Sequence, residues 1–81
     1  MGVEQYLHYL AEIRLKKKIT LDQVMHQLNF SLSTLEALEK GDLEFISYPN
    51  NYFFTKQLAS YLKVPFPSQF LMTHFKPRGE K

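Results

Sequence analysis

A short segment that begins at Thr20 constrains the fold most, because it carries the start and stop signals of two helices. Thr20 and Gln23 make a capping box, in which a hydroxyl and an amide satisfy backbone groups at a helix start. Asn29 tolerates the left-handed backbone that ends a helix, and Ser31 is a favoured cap for the next one. Gly41 then closes this second helix. The segment is therefore predicted to form a helix-turn-helix unit.

Three further helices are predicted around this unit. Apolar side chains recur at helical spacing over residues 3–17, and the same spacing returns over residues 52–63. Pro65 and Pro67 prevent that helix from continuing, and Ser68 is expected to cap a last short helix that ends at Phe75. No strand pattern occurs. The sequence predicts an all-α fold, namely a compact five-helix bundle that contains the helix-turn-helix.

Length and composition predict one domain. The chain has 81 residues, which is too short for two independent cores. Hydrophobic residues make up 44% and charged residues 22%, as in ordinary globular chains rather than disordered ones. We expect residues 1–75 to form the domain and residues 76–81 to be a basic tail or linker. No apolar run approaches the ~18 residues that a membrane span needs, so this segment itself is expected to be soluble.

The sequence shows no constellation typical of catalysis or of metal binding. The three histidines lie on separate predicted helices, and cysteine is absent, so no metal site is predicted. The three glycines are scattered and form no phosphate-binding loop. Glu36 and Glu39 are paired on one predicted helix, but a convex helix surface offers no pocket for acid-base chemistry. We expect no enzyme, no catalytic residue, no cofactor and no small-molecule substrate.

The second helix of the predicted helix-turn-helix is poorly suited to reading DNA. Residues 32–45 contain four acids and one base, Lys40, whereas DNA affinity depends on cations that neutralise phosphates. The side chains predicted to be exposed on this helix are Ser33, Thr34, Glu36, Ala37 and Glu39. DNA binding is therefore expected to be weak, and use of the fold as a protein scaffold is favoured.

The strongest basic run lies at the end of the first predicted helix, where Lys16, Lys17 and Lys18 follow one another. Cations are stabilising at the negative end of a helix dipole, so a solvent-exposed helix end accounts for these three lysines. Contact with nucleic-acid phosphates or with anionic lipid is the alternative that the sequence leaves open.

The fourth predicted helix carries two apolar stripes, although a single core needs only one. The first contains Tyr52, Thr55, Ala59 and Leu62. The second contains Phe54, Leu58 and Tyr61, at i, i+4 and i+7. Either the loop before the helix covers the second stripe, or that stripe stays open as a partner surface with aromatic anchors. The spacing alone leaves both alternatives open.

Residues 10–64 resemble the N-terminal cytoplasmic domain of RodZ, a bacterial cell-shape protein. The helix-turn-helix is similar to that of phage-repressor regulators, which implies a lambda-repressor-like fold. The more specific markers follow it: a LEALE segment at residues 35–39, Gly41, an acidic and aromatic loop at residues 42–45, and Pro49. This order of motifs is typical of RodZ-like domains.

The resemblance implies a partner and a location. In that family the domain binds the actin-like filament protein MreB through two aromatic side chains one turn apart on the fourth helix. Those positions fall on Phe54 and Leu58, and Leu58 departs from the family's aromatic residue. Phe54 is thus expected to be the chief anchor, with Leu58 and Tyr61 beside it. The resemblance also implies the cytoplasmic side of the bacterial inner membrane, with attachment through a region outside this chain. The alternative function is a sequence-specific DNA-binding regulator of the repressor type, and a peptide-binding adaptor is a third.

Overall fold

The chain forms four α-helices and one short 3-10 helix over residues 2–76, the part that the computed structural model describes. The elements are α1 (Val3–Lys16), α2 (Leu21–Leu28), α3 (Leu32–Lys40), α4 (Asn50–Leu62) and the 3-10 helix (Met72–Phe75). No strand occurs among these residues. The all-α prediction is confirmed, whereas the expected number of helices is wrong, because four α-helices form and not five.

The helix-turn-helix is closed by the predicted caps. The Thr20 hydroxyl accepts a hydrogen bond from the Gln23 backbone N–H at 3.1 Å, and the Gln23 side-chain oxygen accepts one from the Thr20 backbone N–H at 2.8 Å. Asn29 adopts the left-handed conformation, and the Ser31 hydroxyl accepts a hydrogen bond from the third residue of α3. Gly41 ends α3 with φ of 76°, a conformation that favours glycine.

The predicted fifth helix does not form, since only Met72–Phe75 turn, as a 3-10 helix. Ser68 lies in a turn and caps no α-helix. The physical reason is that Phe70 and Phe75 are both buried, yet five positions apart an α-helix would direct them to different sides. An irregular path through Pro67 lets both rings enter one core. Of the predicted tail 76–81, residues 77–81 lie outside the described part of the chain.

The C-terminal arm, residues 64–76, completes the core with aromatic rings. Tyr6 of α1 packs edge-on against Phe66 and Phe70, with ring centroids 5.8 and 5.4 Å apart. Tyr52 of α4 packs in the same way against Phe66 and Phe75, at 5.8 and 5.3 Å. Much of the aromatic content therefore serves packing between the arm and helices α1 and α4, in geometries that aromatic rings prefer.

The arm is also held by a hydrogen bond that depends on pH. The Tyr6 hydroxyl donates to the Pro65 carbonyl oxygen at 2.8 Å. Burial, with a smaller contribution from Tyr9, raises the pKa of the Tyr6 phenol from 10.0 to about 12. The folded state disfavours the phenolate. The stability that the protonated Tyr6 hydroxyl contributes is therefore complete below pH 10 and is lost as the pH rises through 12.

We expect Tyr6→Phe to separate this effect from other alkaline titrations. At neutral pH the variant should lose about 1 kcal/mol, the net value of one hydrogen bond. Above pH 10 the wild-type chain should lose stability faster than the variant, so that the gap between them narrows. Urea unfolding of both proteins between pH 8 and pH 12 measures this gap (about four pH values suffice). Parallel curves over that range would show that Tyr6 ionises equally easily in both states.

Candidate functional site

The exposed face of α3 differs from the predicted one. Leu32, Ser33 and Glu36 are exposed, as is Lys40 at the end of the helix. Ala37 was expected to be exposed but is buried in the core. The solvent-facing part of α3 thus presents one acid, two uncharged side chains and a single terminal cation, which is an unusual surface for a helix that reads a DNA groove.

Glu39 was also expected to be exposed, but it forms an ion pair with Arg14 of α1. Arg14 Nε donates to Glu39 Oε2 at 2.6 Å, and Arg14 Nη2 donates to Glu39 Oε1 at 3.2 Å. Arg14 Nη1 donates to the Ile19 carbonyl oxygen at 2.7 Å. One guanidinium therefore joins α1, α3 and the turn before α2, and it neutralises one of the four acids counted in residues 32–45. Sequence reasoning missed Arg14, although it follows Leu7 and Leu10 at i+7 and i+4 on the inward stripe of α1.

The predicted stripe of Phe54, Leu58 and Tyr61 does not lie on one surface. Leu58 is 2% exposed and belongs to the core, beside Thr55 and Ala59 on the inward face of α4. Leu58 is therefore not available on a free surface of this fold. Phe54 and Tyr61 are partly buried and pack at the edge of the core. The partner-binding role of Phe54 and Tyr61 stays a prediction.

Phe54 forms the wall of a shallow groove with a volume of about 260 Å³. The centroid of its ring lies 4.7 Å from the ring centroid of Phe30, which belongs to the turn between α2 and α3. The rest of the groove is lined by the end of α2, by other residues of that turn, by Thr34 of α3 and by Gln57 of α4. The groove thus lies between the helix-turn-helix and α4 and combines an aromatic wall with polar rims, as protein-binding sites often do.

The chain matches a known family over most of its length. A family model described as a helix-turn-helix domain matches residues 9–66. The chain belongs to this helix-turn-helix family. No curated protein and no solved structure matches the chain. The family match includes α2, α3 and α4 and ends at Phe66, so residues 67–76 of the C-terminal arm lie outside the matched region.

Within the helix-turn-helix domain, Phe53 is a surface aromatic that sequence reasoning did not select. It is 44% exposed, because it lies on the side of α4 opposite the inward-facing Asn51 and Thr55. Its ring also packs edge-on against that of Tyr52 at 5.2 Å. A helical wheel centred on the true inward face identifies Phe53 as exposed, but that face is set by the C-terminal arm, whose packing the local sequence pattern does not predict.

The basic run of the helix-turn-helix domain is exposed on a defined turn. Lys16, Lys17 and Lys18 are all exposed, and none forms an ion pair within residues 2–76. Lys18 has a left-handed backbone, with φ of 59°, which reverses the chain after α1. The three ammonium groups are therefore available to an anionic partner.

Two other properties of the described residues bear on function. No helix among residues 2–76 is both long and apolar enough to cross a bilayer. In the same residues, histidine and acidic side chains nowhere gather in the groups of three that hold a metal ion.

Proposed function

We propose that this chain is the cytoplasmic protein-interaction domain of a RodZ-like cell-shape scaffold, and that it docks an actin-like filament protein of the MreB type. The groove beside Phe54 is the observation that carries the proposal, since it combines a partly open aromatic side chain with polar rims. In this proposal the scaffold acts at the cytoplasmic side of the bacterial inner membrane and is anchored through a region outside this chain.

The charge distribution supports protein docking over DNA reading. The exposed part of α3 bears Glu36, and the loop that follows bears the exposed acids Asp42 and Glu44. The domain's buried arginine, Arg14, is occupied by Glu39. A phosphate backbone approaching α3 would meet more negative than positive charge, and base contacts have little affinity without cations on the phosphates.

Truncating Phe54 is expected to weaken filament binding about thirtyfold, which corresponds to the ~2 kcal/mol typical of an aromatic anchor. Co-sedimentation of the Phe54→Ala variant with MreB-type filaments measures this loss. Because Phe54 also packs on Phe30, thermal unfolding must show that the variant is folded at the assay temperature. Phe45→Ala is the matched control, since Phe45 is 59% exposed and lies outside the groove.

A second groove variant keeps the test independent of the core. Gln57 is exposed and lines the groove, so Gln57→Arg adds bulk there without altering packing. It should reduce filament binding while the melting temperature stays unchanged. Filament binding that survives both Phe54→Ala and Gln57→Arg would contradict docking through this groove. Loss of binding in the Phe45→Ala control as well would point to a diffuse contact instead.

A DNA-binding regulator of the repressor type is the second candidate, and the free lysine run favours it. It requires duplex DNA binding with a steep salt dependence that weakens when Lys16, Lys17 and Lys18 become alanine. A gel shift at low salt distinguishes the two proposals. Absence of a complex with random-sequence and genomic DNA removes this candidate and leaves the protein partner.

A further inference from the structure

The turn after α1 combines the basic run with an unpartnered leucine. Leu15 is 63% exposed, more than any other large apolar side chain among the described residues. Lys16, Lys17 and Lys18 follow it directly and are exposed as well. We call these four residues the Leu15 corner. A helix-end dipole accounts for cations at this place, but it does not account for an apolar side chain left in water among them.

The Leu15 corner is held in a fixed shape by the backbone and by Arg14. The Lys18 N–H donates to the Leu15 carbonyl oxygen at 3.0 Å, and the Ile19 N–H donates to the Arg14 carbonyl oxygen at 3.1 Å. On the inner side, the Arg14 side chain donates to the Ile19 carbonyl oxygen. Since these bonds close the turn, its backbone loses little conformational freedom when it binds a partner.

The charges around the corner favour an anionic partner. Glu39, the acid nearest to Arg14, is neutralised by that residue and does not compete for the lysines. Glu12 lies one turn earlier on α1 and is exposed, but it forms no ion pair within 4 Å in residues 2–76. Three exposed lysines therefore follow an exposed leucine directly along the chain, and neither Glu12 nor Glu39 forms an ion pair with them.

We infer that the Leu15 corner is a contact site for an anionic membrane surface. Lysine ammonium groups reach the lipid phosphates, and the leucine side chain enters the boundary between headgroups and acyl chains. Each lysine near such a surface raises affinity about fivefold, so the three together contribute about a hundredfold. A nucleic-acid backbone would use the same lysines but would leave the leucine exposed. The contact is auxiliary and reversible, since stable attachment needs a second signal.

Vesicle co-sedimentation tests this inference on the whole chain. The probes are vesicles of phosphatidylcholine alone and vesicles in which part of it is replaced by phosphatidylglycerol. The wild-type chain should bind only the anionic vesicles and should be released by high salt, because screening weakens exposed charges. Changing Lys16, Lys17 and Lys18 together to glutamine should reduce binding at least tenfold.

Two variants separate a membrane contact from general charge attraction. Leu15→Gln leaves the net charge unchanged and should still reduce vesicle binding about fivefold, because it removes the apolar contribution. The control changes Lys40, Lys56 and Lys63 to glutamine, which removes the same charge from other exposed positions and should retain most of the binding. All these side chains are exposed, and circular dichroism verifies the fold.

Several outcomes would overturn the inference. Equal binding by Leu15→Gln and wild type would show that lipid contact does not involve the leucine. Equal loss in the two triple variants would show attraction by net charge alone. Tight binding to duplex DNA that depends on the lysines but not on Leu15 would identify a phosphate-backbone site instead. Phe54→Ala should bind vesicles normally, so this result is independent of filament docking.

Discussion

Replacing Arg14 with alanine is expected to lower the free energy of unfolding by about 3 to 5 kcal/mol, the usual cost of breaking a buried ion pair from one side. Arg14 is buried, and its three donors contact Glu39 and the Ile19 carbonyl oxygen. The alanine variant leaves the Glu39 carboxylate largely buried beside no cation and opens space under the turn before α2. Urea unfolding at neutral pH measures the change, with an unchanged slope as evidence that the same structure unfolds.

Two further variants test whether the ion pair or the packing of Arg14 stabilises the fold. Arg14→Lys keeps the charge but cannot reproduce the two parallel hydrogen bonds to Glu39, so it should cost less than alanine but more than a surface change. Combining Arg14→Met with Glu39→Leu replaces the pair with apolar side chains of similar size and should recover most of the lost stability. A loss below about 1 kcal/mol for Arg14→Ala would place the ion pair among weak surface pairs.

The helix-turn-helix could be predicted from the sequence because its signals are local. Thr20 and Gln23 bond to each other across three positions, and Asn29 and Gly41 need only their own backbone conformation. Nothing distant along the chain decides these bonds. The start of α2 and the ends of α2 and α3 therefore lie where the sequence places them.

The face of α4 could not be predicted in the same way, because it depends on what packs against the helix. The C-terminal arm and α1 cover the side that contains Asn51 and Leu58. This turns Leu58 inward and leaves Phe53 exposed. The spacing predicts the same exposed stripe for Phe54 and Leu58, although only Phe54 lines the groove.

The predicted helix in the C-terminal arm is also wrong because tertiary packing outweighs the local signal. Ser68 followed by apolar residues is typical of a capped helix, but Phe70 and Phe75 gain more by both entering the core than a short helix would gain from its own hydrogen bonds. The buried polar contacts of Arg14 and Asn51 also join residues far apart in the sequence. Such pairings carry no periodic signal, so the sequence pattern does not predict them.

Asn51→Asp is expected to destabilise the fold by about 3 to 5 kcal/mol, the range for an unpaired buried charge. Asn51 is fully buried at the start of α4. Its side-chain amide donates to the Leu43 carbonyl oxygen at 3.0 Å and to the Phe75 carbonyl oxygen at 2.8 Å. This single amide thereby joins α4 to the preceding loop and to the C-terminal arm. An aspartate would place a carboxylate against two carbonyl oxygens and offer them no hydrogen.

The neighbouring asparagine supplies the matched control for this prediction. Asn50 is exposed in the first turn of α4, where a negative charge interacts favourably with the helix dipole. Asn50→Asp should therefore be neutral or slightly stabilising, although the chemical change is identical. In Asn51→Asp, burial raises the carboxyl pKa, so the stability gap to wild type should narrow as the pH falls and the group takes up a proton that it can donate. Equal stability of the two aspartate variants at neutral pH would show that the amide of Asn51 does not hold the arm in place.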